Sequence, residues 1–224
     1  MKSIYEQAMG REFGKLHPRI RERFGVSSAA GRACVGVGVM ERMWRGGPWV
    51  WPFLRLGTVR RIMFPETCDG AEFVVENYAY RDPFGRETVT WIRTFDVPGR
   101  RRRFDAYMIY SARRGCVVDY LGTHEHLAVD LALSADERGG LRIRSGGQRL
   151  YEGCLGFCIP GALAGVAEVC EWFDESVGKF RIRVDVRNER FGRLFGYEGT
   201  FDVTWIDAAG APGELLPVRH ECRE

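Results

Sequence analysis

The side chains best suited to chemistry lie on two segments joined by a short turn. Segments 72–80 (EFVVENYAY) and 87–95 (ETVTWIRTF) flank Asp82-Pro83-Phe84-Gly85, whose residue types favour a type I turn. Both segments have the composition of β-strands, so we predict an antiparallel hairpin. If Asp82 lies opposite Gly85, strand alternation places one set of side chains on a single face: Val74, Glu76, Tyr78, Tyr80, Glu87, Val89, Trp91, Arg93 and Phe95.

This face combines large aromatic groups with two carboxylates and one guanidinium, a mixture typical of a cavity that binds a partly polar ligand. Because aromatic neighbours raise the pKa of a carboxyl group, Glu76 is a candidate general acid or base, with Tyr78 donating a hydrogen bond. The candidate ligand contacts are Trp91, Arg93, Glu87 and Tyr80. The alternative is an exterior face on which Glu76 and Arg93 form an ion pair. A shift of one residue in the pairing would also separate the side chains of the two strands.

A second cluster surrounds the sequence Thr123-His124-Glu125-His126. On a strand, the two imidazoles of His124 and His126 would point to the same face, and His124 is a second candidate for proton transfer. A metal would need a third ligand from elsewhere, such as Asp105, Asp119 or His220. We predict no metal, and expect two histidines at a turn that hydrogen-bond to neighbouring strands.

A third feature is the segment GPWVWPFLRLGTVRRIMFPE at 47–66, which carries Trp49 and Trp51 beside prolines. Residues 53–63 have apolar side chains at helical spacing, so we predict a short amphipathic helix. Such a helix can cover or plug the open end of a curved sheet, with Trp49 and Trp51 as ligand contacts. Contact with a membrane surface is the less favoured alternative.

These clusters need a large β-scaffold to position them. Residues 3–24 predict N-terminal helices, with Ser3 as the N-cap and Glu6 at the capping-box spacing. From residue 72 onward about ten strand segments follow one another, without the βαβ alternation of a nucleotide-binding fold. We therefore predict a mostly antiparallel α+β fold, a large curved sheet or closed β-barrel of about 10 strands, with a short lid or plug helix. Residues 1–206 would form one domain and 207–224 a loosely held tail.

Composition excludes several other classes. The 33 basic and 30 acidic residues nearly balance, which argues against nucleic acid as the partner, and Arg100–Arg103 is best explained as a solvated hairpin loop. Seven cysteines without a CxxC pair favour reduced thiols in the cytoplasm. The sequence shows no secretory signal and no transmembrane segment. Nucleotide-binding, hydrolase and metalloprotease motifs are missing, so we predict no cofactor.

Several long motifs resemble a bacterial family known as domain of unknown function 4166. They include FPET (64–67), ENYAYRD (76–82), GRETVTWIRTF (85–95) and DYLGTHEHLAVDL (119–131), and the resemblance extends from about residue 3 to residue 206. The resemblance implies no catalytic residues. It does imply that similar domains occur alone or behind reductase-like domains, so a separate reductase is a candidate partner.

Three functions remain open from the sequence. We expect a protein that binds a hydrophobic or lipid-like small molecule in an aromatic-lined cavity. The first alternative is a cofactor-independent acid–base enzyme of isomerase, cyclase or decarboxylase type, using Glu76 or His124. The second is an accessory domain that partners a reductase.

Overall fold

The computed structural model describes residues 1–224. Three short α-helices are present, α1 (Ile4–Met9), α2 (Pro18–Phe24) and α3 (Trp51–Val59), with 3-10 helices at Gly10–Lys15, Ser28–Ala30, Pro48–Val50 and Gly213–Leu215. The strands are β1 (Arg32–Arg45), β2 (Ala71–Asn77), β3 (Ala79–Arg81), β4 (Glu87–Thr90), β5 (Ile92–Val97), β6 (Arg100–Phe104), β7 (Ala106–Ser111), β8 (Cys116–Leu121), β9 (Leu127–Ala135), β10 (Leu141–Glu152), β11 (Leu155–Cys158), β12 (Val166–Asp174), β13 (Lys179–Asn188) and β14 (Gly192–Asp207).

All the strands belong to one antiparallel sheet with the order β3-β4-β7-β8-β9-β10-β12-β13-β14-β1-β2-β5-β6, and β11 pairs beside β10. The pairs β2/β3, β4/β5 and β6/β7 are consecutive in the chain and are separated by bends at Tyr78, Trp91 and Asp105. In each of these segments, one strand lies near one end of the strand order and the other strand lies near the opposite end. The sheet therefore curls strongly around an interior. The predicted mostly antiparallel curved sheet is confirmed.

Close approach of backbones supports the curvature where the last strand meets the first. A Cβ added at Gly38 of β1 would lie 2.0 Å from the carbonyl oxygen of Thr200 and 2.4 Å from Cα of Phe201, both on β14. The pairing of these two strands also shifts register between Val39 and Arg42. Only a residue without a side chain allows this contact.

The N-terminal helices close one end of the curled sheet. Ser3 caps α1 by accepting a hydrogen bond from the backbone N–H of Glu6 (3.1 Å), as its sequence position predicts. Ile4 and Tyr5 of α1 and Ile20 and Phe24 of α2 are buried in the main hydrophobic core, together with the inner face of the sheet. The helices therefore act as a floor under the interior.

The C-terminal segment packs against the outer face of the sheet, in contrast to the loosely held tail expected from the sequence. The backbone N–H of Val218 donates to Thr123 (2.7 Å), and Arg219 donates to the carbonyl oxygens of His124 (3.1 Å) and Tyr151 (2.8 Å). Leu215 is buried in a second hydrophobic cluster that includes Tyr107 and Tyr120 of the outer face. The Gly/Pro-rich composition of the segment gave no sign of this docking, because its anchors lie on distant strands.

Candidate functional site

The register of the central hairpin differs by one residue from the predicted pairing. Tyr80 pairs with Thr88, and Glu76 pairs with Ile92. Gly85 adopts a left-handed conformation (φ 75°), and the N–H of Asp82 bonds to the carbonyl of Arg86, so the turn is one residue longer than we assumed. A glycine at this position is typical of a three-residue hairpin loop. The predicted grouping of Glu76, Tyr78 and Tyr80 with Trp91 and Arg93 on one face is therefore wrong.

The two faces of this hairpin contain different chemistry. Val75, Trp91, Arg93 and Phe95 point to the interior and are buried. Tyr78 and Ile92 belong to the outer cluster beneath the C-terminal segment. This separation places the aromatic groups and the guanidinium, but neither Glu76 nor Tyr78, on the inside of the curled sheet.

The interior contains a cavity of about 870 Å³, lined by strands of the sheet and by Phe53 and Leu54 of α3. Of its 28 lining residues, 21 are hydrophobic, and the sheet contributes to the lining through β5 to β10 and β12 to β14. Cavities of several hundred Å³ with apolar walls and few polar groups are typical of small-molecule sites. The geometry therefore provides space for an apolar molecule inside this domain.

The mouth of the cavity lies beneath the Trp49–Met63 segment. Trp49, Phe53, Leu163 and Phe191 line the cavity and are also exposed to solvent, so they mark its opening. The rings of Trp49 and Phe191 lie 5.2 Å apart across this opening. Leu54 of α3 is buried below them. The predicted short lid helix is present, and Trp49, in the 3-10 turn that precedes it, contacts Phe191 on the opposite rim.

Two ionisable groups lie deep in this apolar interior. Arg93 of β5 and Asp119 of β8 are both buried and both line the cavity. Burial raises the pKa of Asp119 to about 7, and the positive charge of Arg93 opposes that rise. The two side chains do not form an ion pair, and one carboxylate oxygen of Asp119 has no hydrogen-bond partner.

The guanidinium group of Arg93 lies over two aromatic rings. Its central carbon lies 3.7 Å from the ring centroid of Phe104 and 5.0 Å from that of Trp91. One terminal nitrogen, Nη1, donates to the hydroxyl of Tyr197 (3.3 Å). The other two nitrogens, Nε and Nη2, have no partner in the structure. These contacts hold the group in place and leave Nε–H and Nη2–H free to donate.

The remaining predicted site residues lie away from this cavity. Glu87 accepts hydrogen bonds from the backbone N–H (2.5 Å) and hydroxyl (2.7 Å) of Ser28, close to the N-terminal floor. Tyr80 is buried on the outer side of β3, with a hydroxyl that has no partner. Trp51 is exposed on α3, where Arg55 packs over its ring. Trp49, Trp91 and Arg93 line the cavity, and their role as ligand contacts stays a prediction.

Glu76 and Tyr78 form part of the surface beneath the C-terminal segment. Burial raises the pKa of Glu76, while Arg103 lowers it and Glu214 raises it further. Burial and the Glu76 charge raise the pKa of Tyr78. Neither residue lines the cavity, so their proposed acid–base role would have to act outside it.

The histidine pair lies in the turn between β8 and β9 rather than on a strand. Glu125 between them has a positive φ of 49°, which rules out the regular alternation assumed for His124 and His126. The hydroxyl of Thr123 lies 2.9 Å from Nδ1 of His124, and burial together with Arg60 lowers the pKa of that histidine. No group of three or more His, Cys, Asp or Glu side chains is arranged to hold a metal ion.

Asp119 and Phe104 are functional candidates that the sequence reasoning missed as cavity residues. In the segment CVVDYL, residues on both faces of the strand are buried, so hydrophobic alternation does not reveal which side Asp119 occupies. The only signal was a single carboxylate within an otherwise apolar strand. Phe104 follows four arginines and looked like the end of a solvated loop, whereas 100–104 form a paired strand.

The fold and the site together define a small curled-sheet protein with an internal apolar cavity and a buried polar pair. The family model described as domain of unknown function (DUF4166) matches residues 16–201, and the chain belongs to this family. A Bacillus subtilis (strain 168) relative, named uncharacterized protein YndH, is 34% identical over 201 residues, which cover 90% of this chain and 97% of the relative. No solved structure matches the chain. None of the helices has the length and apolar character needed to cross a membrane.

Proposed function

We propose that this protein binds a hydrophobic or lipid-like small molecule in the interior cavity. The observation that carries the proposal is the 870 Å³ of space enclosed mainly by hydrophobic side chains beneath a lid. Protein interiors normally pack without voids of this size, because empty apolar space forfeits dispersion contacts. A bound apolar molecule would restore those contacts.

The first test is native mass spectrometry of the full chain as purified, before and after extraction with organic solvent. We expect a non-covalent adduct that extraction removes. A second measurement follows the fluorescence of 1-anilinonaphthalene-8-sulfonate added to the extracted protein. Because Leu56 on α3 is exposed and can itself attract this probe, the Leu56→Ser variant measures the contribution of the surface.

A cavity-filling variant makes the test specific. Ala167 lines the cavity, and Ala167→Trp should fill part of it and lower probe binding at least about tenfold. Ala30→Trp adds the same side chain at an exposed position and should bind like the wild type. Equal binding by wild type and both variants, with no adduct in the spectrum, would contradict the proposed function.

A second candidate is an acid–base enzyme that uses the same cavity. Asp119 favours it, because a buried carboxyl with a pKa of about 7 can exchange a proton near neutral pH, and Arg93 would stabilise an enolate. The test is to incubate a bound ligand with the protein in D₂O and to measure deuterium at its carbon atoms by mass spectrometry. Incorporation lost in Asp119→Asn would support catalysis, and none in the wild type would favour binding alone. The partnership with a reductase stays a prediction.

A further inference from the structure

The free edge of Arg93 has the geometry of a carboxylate receptor. Nε–H and Nη2–H lie side by side on the same edge of the guanidinium, and these are the two donors without partners. Two parallel N–H donors match the two oxygens of a carboxylate, which is why arginine binds carboxylates in a bidentate manner. The guanidinium carbon lies over the rings of Phe104 and Trp91, which restrict its movement.

A charge left in this position without a partner is costly. Arg93 is only 3% exposed, and an unpaired buried charge is among the most unfavourable arrangements in a protein interior. Tyr197 satisfies one nitrogen only, through a 3.3 Å hydrogen bond. Asp119 does not form an ion pair with the guanidinium, although it lines the same cavity. An anionic group on a ligand would supply the missing partner.

From these contacts we propose that the ligand is a carboxylic acid with a long apolar body, whose carboxylate binds the Nε/Nη2 edge of Arg93 and whose chain fills the cavity towards the lid. This inference rests on the proposed function, because it assigns the chemical class of the molecule held there. The apolar wall residues Leu131, Ile143 and Val184 would contact the chain. Asp119, in its protonated form, would donate a hydrogen bond to the same carboxylate.

The charges facing Asp119 determine how binding depends on pH. They are the positive charge of Arg93 on β5, which favours the ionised form, and the neutral phenol of Tyr5 on α1, whose own pKa is raised mainly by burial. Tyr5 is held by a hydrogen bond from its hydroxyl to the sulfur of Met108 (3.3 Å). Ionised Asp119 would repel the ligand carboxylate and compete for Arg93. Affinity should therefore be higher at pH 6 than at pH 8.

The test compares three probes of equal chain length on the solvent-extracted full chain by isothermal titration calorimetry: dodecanoate, 1-dodecanol and methyl dodecanoate. At pH 6 we expect dodecanoate to bind at least tenfold more tightly than either neutral probe. In Arg93→Gln the three affinities should converge, with dodecanol binding unchanged within about twofold. Arg142→Gln is the matched control, because Arg142 is exposed on β10, does not line the cavity and should leave the preference intact.

The possible outcomes separate the two proposals. Equal binding of all three probes by the wild type overturns the carboxylate assignment but leaves the proposed function standing, and this result needs no variant to fold. A dodecanoate preference that survives in Arg93→Gln also overturns the assignment to this edge. If none of the probes binds, the proposed function itself fails. Circular dichroism checks that Arg93→Gln is folded, and Arg93→Lys, which keeps the charge but loses the paired donors, should show an intermediate preference.

Discussion

At the residue scale, Asp119 connects burial, charge and stability. Its pKa is about 7 in the folded protein, against an ordinary value of 3.8, chiefly because the apolar interior disfavours the ionised form. The folded state therefore binds a proton more tightly than the unfolded state. At pH values between the unfolded and the folded pKa of Asp119, the free energy of unfolding should fall as the pH rises, by about 1.4 kcal/mol per pH unit for one group.

This linkage gives a direct prediction for Asp119→Asn. The asparagine variant cannot ionise, so its stability relative to the wild type should increase from pH 4 to pH 7 and then level off. Urea unfolding at pH 5, 6, 7 and 8 measures the difference. The control is Asp207→Asn, at an exposed carboxylate at the end of β14, which should show no such trend. A constant difference between Asp119→Asn and the wild type across this range would contradict the prediction.

The buried ion pair of Arg23 and Glu171 helps to attach helix α2 to the sheet. Nε of Arg23 donates to one oxygen of Glu171 (2.5 Å), and Nη1 donates to the side-chain oxygen of Asn77 (2.8 Å) and the sulfur of Cys34 (2.9 Å). These partners lie on β12, β2 and β1, whereas Arg23 lies on α2. The arginine thus ties the N-terminal floor to three strands.

We predict that Arg23→Met destabilises the protein by about 3–5 kcal/mol, because the glutamate would be left as an unpaired buried charge. The double variant Arg23→Met/Glu171→Leu should recover most of that loss, since it removes both charges. Arg21→Met is the control on the exposed side of the same helix. Chemical denaturation measures the four proteins, and a double variant no more stable than Arg23→Met would show that the charge is not the cause.

At the scale of elements, sequence periodicity was informative where only one side of an element is buried. The N-cap at Ser3, the helical character of much of residues 3–24 and the succession of antiparallel strands could all be predicted. The register of the central hairpin could not, because the β3–β4 turn contains one more residue than its Asp-Pro-Phe-Gly composition suggests. This one-residue shift in register places Glu76 on the outer face of the sheet, whereas Arg93 lies on the inner face. The predicted site residues are therefore divided between the two faces.

The lid offers a second element-scale prediction, concerning rates. Trp49 lines the mouth and contacts Phe191, while Trp51, which is equally exposed on the same segment, does not line the cavity. Trp49→Ala should open this route and increase the rate at which a bound probe leaves the cavity, by about tenfold. Trp51→Ala should leave the rate unchanged. Stopped-flow displacement of a fluorescent ligand measures both, and equal rates in the two variants would place the exit elsewhere.

At the scale of the molecule, the two faces of the sheet serve separate purposes. The inner face surrounds the cavity, while the outer face carries a cluster of buried tyrosines beneath the C-terminal segment. The hydroxyl of Tyr120 donates to the carbonyl of Arg223 (2.8 Å), and the hydroxyl of Ser111 donates to the carboxylate of Glu224 (2.5 Å). The chain therefore crosses the outside of the sheet as a strap, and no residue of that strap lines the cavity.

From this arrangement we predict that removing the C-terminal segment lowers the stability of the protein but leaves its affinity for a cavity ligand nearly unchanged. Removing residues 214–224 exposes the outer tyrosine cluster and deletes Leu215, whose burial alone contributes about 2 kcal/mol. The truncated protein should unfold at lower urea concentration than the full chain, yet bind dodecanoate with an affinity within about threefold. The double substitution Leu215→Ala/Arg219→Ala is a milder version, because it keeps the chain length while removing the apolar anchor and the bonds to His124 and Tyr151. A large loss of affinity in a variant that remains folded would mean that the outer strap controls the cavity, because neither variant changes a residue that lines it.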